Sequence, residues 1–241
     1  MSEINSNLFF LFKNLPLLLN ATLTAILLTF ASILIGMVVG IICTFLRIYG
    51  SKIVKKIEFA YEWVLKGTPP LIVIFIFYFG LGKYLNLGPF LSAALALGLR
   101  SSAYQAQIYR GAVLSITSEQ TEAGLSLGLS KVKTFSIIII PQAFRLSLPG
   151  FTNEFTIVLK DTPLAYAVGL VEILKAGRDI LNQPLTQSIT GSNITGSLNP
   201  FAIFVVCALL YFILFEIFSY ALQFLSKKYE IPGFITDKET K

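Results

Sequence analysis

The chain offers chemistry at a few ionisable residues set inside apolar stretches: Arg100, Glu154, Lys160, Asp161 and Glu216. A charge in such surroundings is expensive, so it marks either a functional position or a neutralising pair. Glu154 and Asp161 are seven apart and share one face of a continuous helix. Lys160 adjoins Asp161, and Thr162 and Pro163 follow at once. That run predicts a helix broken near mid-membrane, the arrangement that exposes helix ends and carbonyls to a ligand. Two readings of the charges stand. In one, Glu154 and Asp161 face a cationic group of a solute, while Arg100 or Lys160 faces an anionic one. In the other, Lys160–Asp161 and Arg100–Glu154 are neutralising pairs that only hold helices together.

The elements that position these residues are membrane spans. Of 241 residues, 55% are hydrophobic and 13% charged, and the mean hydropathy is +0.75. A soluble domain carries nearer a quarter charged residues. The net charge of +6 is spread in short clusters between apolar runs, which indicates membrane orientation and no nucleic-acid binding. Histidine is absent, removing a His-based triad, a His zinc site and a histidine pH switch; no metal site is expected. Cys43 and Cys207 both lie in apolar runs, against a disulfide framework. The N-terminus lacks a basic, cleavable signal pattern.

No charge occurs from Asn14 to Leu46, more than the ~20 residues a crossing needs, so a first span is placed at Leu17–Leu46. Gly36 and Gly40 within it form a small-xxx-small pair suited to helix packing. A basic patch follows at Arg47, Lys52, Lys55 and Lys56, then a helix from about Lys56 bearing Glu58, Glu62 and Trp63. Lys66–Leu71, KGTPPL, bends the backbone before Ile72–Gly82 completes the second crossing. Phe90–Tyr109 is a third span with Arg100 in its middle. Asn182–Pro200 is a polar, outer loop, and Phe201–Leu225 is a final span with Glu216 in its inner half.

Between the third span and Phe144 lies a polar, glycine-punctuated insert, SEQTEAGLSLGLSKVKTFSIIIIPQAF, Ser118–Phe144. Ser118 suits an N-cap, and Glu119 and Glu122 suit a positive helix N-terminus. Ala123, Leu125, Leu127 and Leu129 give a small apolar surface, and Gly124 and Gly128 permit close backbone approach. The apolar run Ile137–Ile140 is closed by Pro141. Such an element can dock into another protein's groove.

The insert resembles the coupling loop, or "EAA" motif, of ABC-importer permeases. That motif reads Glu-Ala-Ala, Gly four residues later, then an apolar residue and Pro. Here it is Glu122, Ala123, Gly124, Gly128, Ile140 and Pro141, with Gly124 in the place of the third Ala. KGTPPL is similar to "RGTPLL" of polar amino-acid permeases. SSAYQAQIYRG, Ser101–Gly111, is similar to "SAAYLAEIFRG", with Gln107 where Glu is usual and Arg100 where an uncharged polar residue is common. Phe144–Gly177 resembles "LPxxxNxFixLLKDTSLAsviGvvEL", with Pro163 for Ser. The resemblance, to polar amino-acid ABC transporter permeases, covers nearly the whole chain.

It implies an all-α, polytopic membrane protein of the type I ABC importer permease fold, with about five transmembrane helices and a cytoplasmic coupling helix. Residues 1–241 would form one permease domain, with the coupling loop at residues 112–136. The partners implied are a cytoplasmic ABC ATPase dimer, a second permease subunit, an extracytoplasmic solute-binding protein and the bilayer. ATPase contact falls to Glu122, Ala123, Gly124, Leu125, Gly128, Leu129 and Pro141. The substrate path falls to Arg100, Glu154, Lys160, Asp161 and Thr162, with the ammonium of an amino acid facing the carboxylates. No Walker-type Gly-x-x-x-x-Gly-Lys-Ser/Thr occurs, so the chain is no enzyme, carries no cofactor and leaves ATP to a partner.

The basic residues orient the chain. Of nineteen Lys and Arg, only Lys13, Lys83, Lys175 and Arg178 fall on the outer side and Arg100 and Lys160 within the membrane. The rest fall inside, predicting N-terminus out, C-terminus cytoplasmic, in the plasma (inner) membrane of a prokaryote. Two rivals remain: an ion-coupled secondary amino-acid transporter using Glu154, Asp161 and Glu216, and a structural or signalling membrane subunit whose insert binds something other than an ATPase.

Overall fold

The uncharged run after Asn14 forms one helix, α1 (Leu15–Tyr49), because nothing in its 35 residues breaks it. At ~1.5 Å per residue it outruns a ~30 Å hydrocarbon core. Most of its inward residues are small, with Leu18, Leu28 and Ile33 packed among them. Ala21, Ala25, Thr29, Ser32, Gly36, Gly40 and Thr44 turn inward, while Leu19, Leu23, Leu27, Leu34, Val38 and Ile42 face out. That is how a lipid-facing helix packs: bulky apolar groups meet the lipid and small ones meet the neighbouring backbone.

The computed structural model describes residues 13–116, 118–182 and 200–229. After α1 come α2 (Lys52–Gly67), α3 (Pro70–Leu85), α4 (Pro89–Ser115) and α5 (Ser118–Ser126). Then follow α6 (Lys131–Val168), α7 (Ile173–Leu181) and α8 (Pro200–Lys228). The polar loop expected at Asn182–Pro200, the short lead-in and the charged tail lie almost wholly outside the described residues.

Among the described residues α1, α6 and α8 are long and apolar enough to cross a membrane, and α2 with α3 make a fourth crossing if the bent pair is one span. The bend is 107° and falls at Thr68–Pro69, where the Gly-Thr-Pro-Pro run was expected to reset the helix. The third expected span, Phe90–Tyr109, lies in α4, which is 27 residues long but far less apolar. About half of its residues are buried, so other helices cover much of it, and Arg100, Ser101, Gln105, Gln107 and Arg110 find protein partners.

α1 lies along α4. A Cβ on Gly36 would collide with Gln105 Nε2, and one on Gly40 would sit 3.2 Å from the Ala106 nitrogen. A Cβ on Gly98 would sit 2.8 Å from Ile35. The Gly36–Gly40 pair is therefore a packing device here. Thr44 Oγ1 reaches across to the Ala106 carbonyl at 3.2 Å.

α6 is a composite helix. It begins on Ser130, whose hydroxyl accepts from Lys133 N. It widens into a π-helical turn at Phe135–Ile139 and tightens into a 3-10 turn at Thr162–Val168. The helix passes through Pro141, which falls just after the wide turn, where a missing N–H is tolerated. The break expected near Pro163 is this change of pitch, followed by a left-handed Gly169 (φ 84°) that ends the element.

Candidate functional site

Two places concentrate polar groups. The first lies where α4 meets α6. Arg100 Nη1 donates to Asp161 Oδ2 at 2.8 Å, and Ser101 Oγ donates to Glu154 Oε1 at 2.7 Å. The neutralising pairs considered from the sequence, Arg100–Glu154 and Lys160–Asp161, are thus not the ones formed. Neighbouring residues on α6 point about 100° apart, so Lys160 turns away from Asp161. Its ammonium sits 4.1 Å from the centroid of Phe215 on α8. It lines a groove of about 640 Å³ between α6 and α8, with Thr152, Asn153, Thr156, Ser219 and Gln223. Thr162 Oγ1 bonds back to the Leu159 carbonyl and lies 3.3 Å from Tyr211 OH.

Behind Glu154 runs a buried ladder. Tyr109 OH donates to Gln105 Oε1 at 2.9 Å, Gln105 Nε2 donates to Ser101 Oγ at 3.1 Å, and Ser101 donates to Glu154. Gln105 also reaches the Ile33 carbonyl of α1 at 3.3 Å. Gln105 and Ser101 are fully buried and Glu154 is 2% exposed. Four residues on one face of α4 and α6 therefore satisfy one another without water, which is what a buried polar chain must do.

Sequence reasoning missed Glu172. It is fully buried in the turn after α6, and its carboxylate caps α7 by accepting from Leu174 N (2.8 Å) and Lys175 N (2.7 Å). Tyr211 OH of α8 donates to it at 2.7 Å. Burial pushes this carboxyl above the usual range, against the pull of those three donors. The Glu of the "GvvEL" run quoted above falls on this position and is a signal that could have found it.

The second place is α5. Glu119, Glu122, Ala123 and Leu125 are exposed, and Gly124 alone of this helix is buried. A Cβ on Gly124 would meet Thr134 Cγ2 at 2.6 Å and Ile138 Cδ1 at 3.1 Å, so glycine lets α5 lie directly on the start of α6. Gly128 is left-handed (φ 79°) and ends the helix. Leu129 N bonds to the Gly124 carbonyl and Gly128 N to the Leu125 carbonyl, the paired closure of a Schellman turn. Ser118 is the first helical residue, so the capping position falls on residue 117, outside the described residues. Beneath α5, Phe135 packs with Phe45 and Tyr49 of α1 at ring separations of 5.1 and 5.6 Å.

Residues 32–229 match the family described as binding-protein-dependent transport system inner membrane component. The chain belongs to that family. The glutamine transport system permease protein GlnP of Escherichia coli K12 is 31% identical over 220 residues, 90% of this chain and 94% of GlnP. The octopine transport system permease protein OccQ of Rhizobium radiobacter is 32% identical over 210 residues, 82% of this chain and 83% of OccQ. A crystal structure of an amino acid ABC transporter with histidines superposes with a TM-score of 0.73 at 27% identity, covering 90% of this chain and 96% of that one. An inward-facing form of the MetNI methionine ABC transporter shares the fold, with a TM-score of 0.70 at 17% identity over 89% and 97% of the two chains. The permease is therefore a multi-pass, all-α component of the inner membrane and not the ATP-hydrolysing enzyme of its transporter.

Two departures from the family pattern prove to be neighbours in this permease. Lys66 Nζ donates to Gln107 Oε1 at 2.8 Å and reaches Glu62 at 3.5 Å. Glu62 also takes a forked pair of bonds from Arg110, 2.7 and 3.1 Å long. α2 is thus tied to α4 by charges on its inward face, while its apolar residues face out.

Proposed function

We propose that this permease imports a polar or charged amino acid as the membrane half of an ATP-driven transporter. In this reading a cytoplasmic ATPase dimer docks on the segment Glu119–Pro141, a second permease subunit completes the path, and an extracytoplasmic solute-binding protein delivers the cargo. The N-terminus lies outside and the C-terminus in the cytoplasm, so α5 faces the ATPase. One observation carries the coupling: Gly124 is the one buried residue of α5, and there α5 seats on α6, the helix that bears Glu154, Lys160 and Asp161. A push on Glu122, Ala123 and Leu125 is delivered to that helix, with Gly128 and Leu129 as the turn and Pro141 beyond it as the stiffened stem. The names of the relatives, which carry glutamine and octopine, support a solute with an α-amino-acid end.

The solute path runs along the groove of α6 and α8. Lys160 has a ring contact there and no carboxylate partner among the described residues, so it receives the solute carboxylate. Arg100 is already held by Asp161. Glu154, Asp161 and Thr162 do not line this groove; the ammonium or a basic side chain reaches them where the junction of α4 and α6 opens. Co-reconstitution with the neighbouring ATPase and binding protein tests the proposal. Loaded binding protein should stimulate ATP hydrolysis and amino-acid uptake together, and cysteines in α5 should crosslink to the ATPase. Uptake driven by an ion gradient without nucleotide would favour the secondary-transporter reading instead.

A further inference from the structure

The turn between α1 and α2 builds a basic pocket that neither the solute path nor the coupling segment uses. Gly50 N closes on the Leu46 carbonyl at 2.9 Å, and a Cβ at Gly50 would collide with that same oxygen. The chain therefore reverses tightly, and Ser51 caps α2. The reversal brings Arg47, at the end of α1, onto the first two turns of α2. Its Nη1 donates to the Lys55 carbonyl at 2.6 Å and lies 3.4 Å from Glu58, and its guanidinium stands 5.1 Å from the centroid of Phe59. Arg47, Lys55, Lys56 and Phe59 line a cavity of about 490 Å³.

Three features of this pocket point outward. The ammonium groups of Lys52, Lys55 and Lys56 have no carboxylate partner among the described residues. They sit in the first turns of α2, against the positive end of its dipole, a conflict that an anion there removes. Next to them the outward face of α2 is apolar: Ile53, Ile57, Phe59, Trp63 and Val64 are all more than half exposed. Cations at one end of an exposed apolar stripe match a phosphate with acyl chains attached, and do not match a free ion or an acidic protein surface.

We infer that this pocket binds the phosphate headgroup of an anionic glycerophospholipid, with the acyl chains lying along Phe59 and Trp63. Arg47, pre-set by three contacts, fixes the phosphate, and Lys52, Lys55 and Lys56 supply the remaining charge. With the orientation proposed above, that lipid belongs to the inner leaflet, and only this placement rests on that reading.

Trp63 is the only tryptophan of the chain and 71% exposed, so it reports on its own neighbourhood. The full-length permease is placed in symmetric vesicles, where orientation does not matter, containing brominated phosphatidylglycerol or brominated phosphatidylcholine at equal fractions. The expected result is stronger Trp63 quenching by the phosphatidylglycerol. That preference should fall about fivefold for each lysine removed in Lys52→Gln, Lys55→Gln and Lys56→Gln. These surface changes leave the Arg47 bond intact, because it uses the Lys55 backbone carbonyl. Equal quenching by both lipids overturns the inference, as does a preference that survives the triple substitution. Loss of the preference on adding inorganic phosphate, but not chloride of equal ionic strength, would reassign the pocket to a free anion. Variants with unchanged quenching but weakened ATPase binding would reassign the surface to that partner. None of these readouts depends on transport, so failure here and failure of the import proposal are separable.

Discussion

Arg100 Nη1 on α4 and Asp161 Oδ2 on α6 stand 2.8 Å apart, joining two helices across 61 residues of sequence. The side chains are 15% and 22% exposed, so the pair is partly shielded from water but not sealed from it. Its two charges neutralise each other at the point where α6 changes from α to 3-10 pitch. Opening that junction to a zwitterionic solute is an exchange of ionic partners, not the creation of new buried charge.

Removing one partner leaves the other unpaired, so Asp161→Asn and Arg100→Gln should each lower stability by about 1–3 kcal/mol, less than the ~3–5 of a sealed pair. The double variant should recover most of that loss, because no lone charge remains. Its amino-acid uptake should stay below about a tenth of wild type, since the carboxylate proposed to meet the ammonium is gone. Thermal unfolding in detergent and uptake by reconstituted vesicles read the two effects separately.

The contact of α1 with α4 gives a steric prediction. Gly36→Ala puts a methyl group onto Gln105 Nε2 and displaces the amide that links Tyr109 to Ser101. It should cost about 1–3 kcal/mol as overpacking. Gly40→Ala crowds the α4 backbone at Ser102 and Ala106, which cannot rotate away, and should cost as much or more. Tyr109→Phe removes only the end of the ladder and should cost about 1 kcal/mol. A larger loss from Tyr109→Phe than from Gly36→Ala in the same unfolding assay would contradict this ordering.

Much of this fold could be read from the chain. An uncharged run longer than the bilayer fixes α1, and two adjacent prolines fix the break before α3. Gly124 and Gly128 marked the insert, but their separate jobs, one as a seat and one as a left-handed stop, emerge only with Thr134 and φ on view. The pairing of Arg100 was not legible, because partner choice depends on which face of α4 meets α6, and that is set by the glycines of α1 as much as by either charge. Glu172 was not singled out, since nothing local tells of Tyr211, 39 residues away.

The coupling role proposed for α5 has a more specific consequence. Gly124→Val should lift α5 from Thr134 and Ile138, so solute-stimulated ATP hydrolysis should fall at least tenfold while basal hydrolysis by the partner ATPase is unchanged. Gly128→Ala keeps the contact but strains a left-handed residue by about 1 kcal/mol, so its coupling should fall only a few-fold. Equal effects from the two substitutions would mean that the turn, rather than the seat on α6, transmits the motion. Comparing ATPase rates with and without loaded binding protein distinguishes these outcomes.

The last prediction concerns how α8 is held to the rest. Tyr211 OH donates to Glu172 Oε2 at 2.7 Å and lies 3.3 Å from Thr162 Oγ1, so one hydroxyl ties α8 both to the cap of α7 and to the 3-10 turn of α6. Hydrogen bonds to a charged acceptor are worth about 1.5–3 kcal/mol, against about 1 for neutral partners. Tyr211→Phe should therefore destabilise by roughly 1.5–3 kcal/mol. Thr162→Val should cost less, since Thr162 lies farther from Tyr211 and its other bond is the local one to Leu159. Glu172→Gln keeps the cap in weakened form but loses the charge, so after Tyr211→Phe it should add less than it costs alone. An additive double variant would mean that Tyr211 stabilises α8 through its ring packing and not through the carboxylate, a distinction that a double-mutant cycle on thermal unfolding resolves.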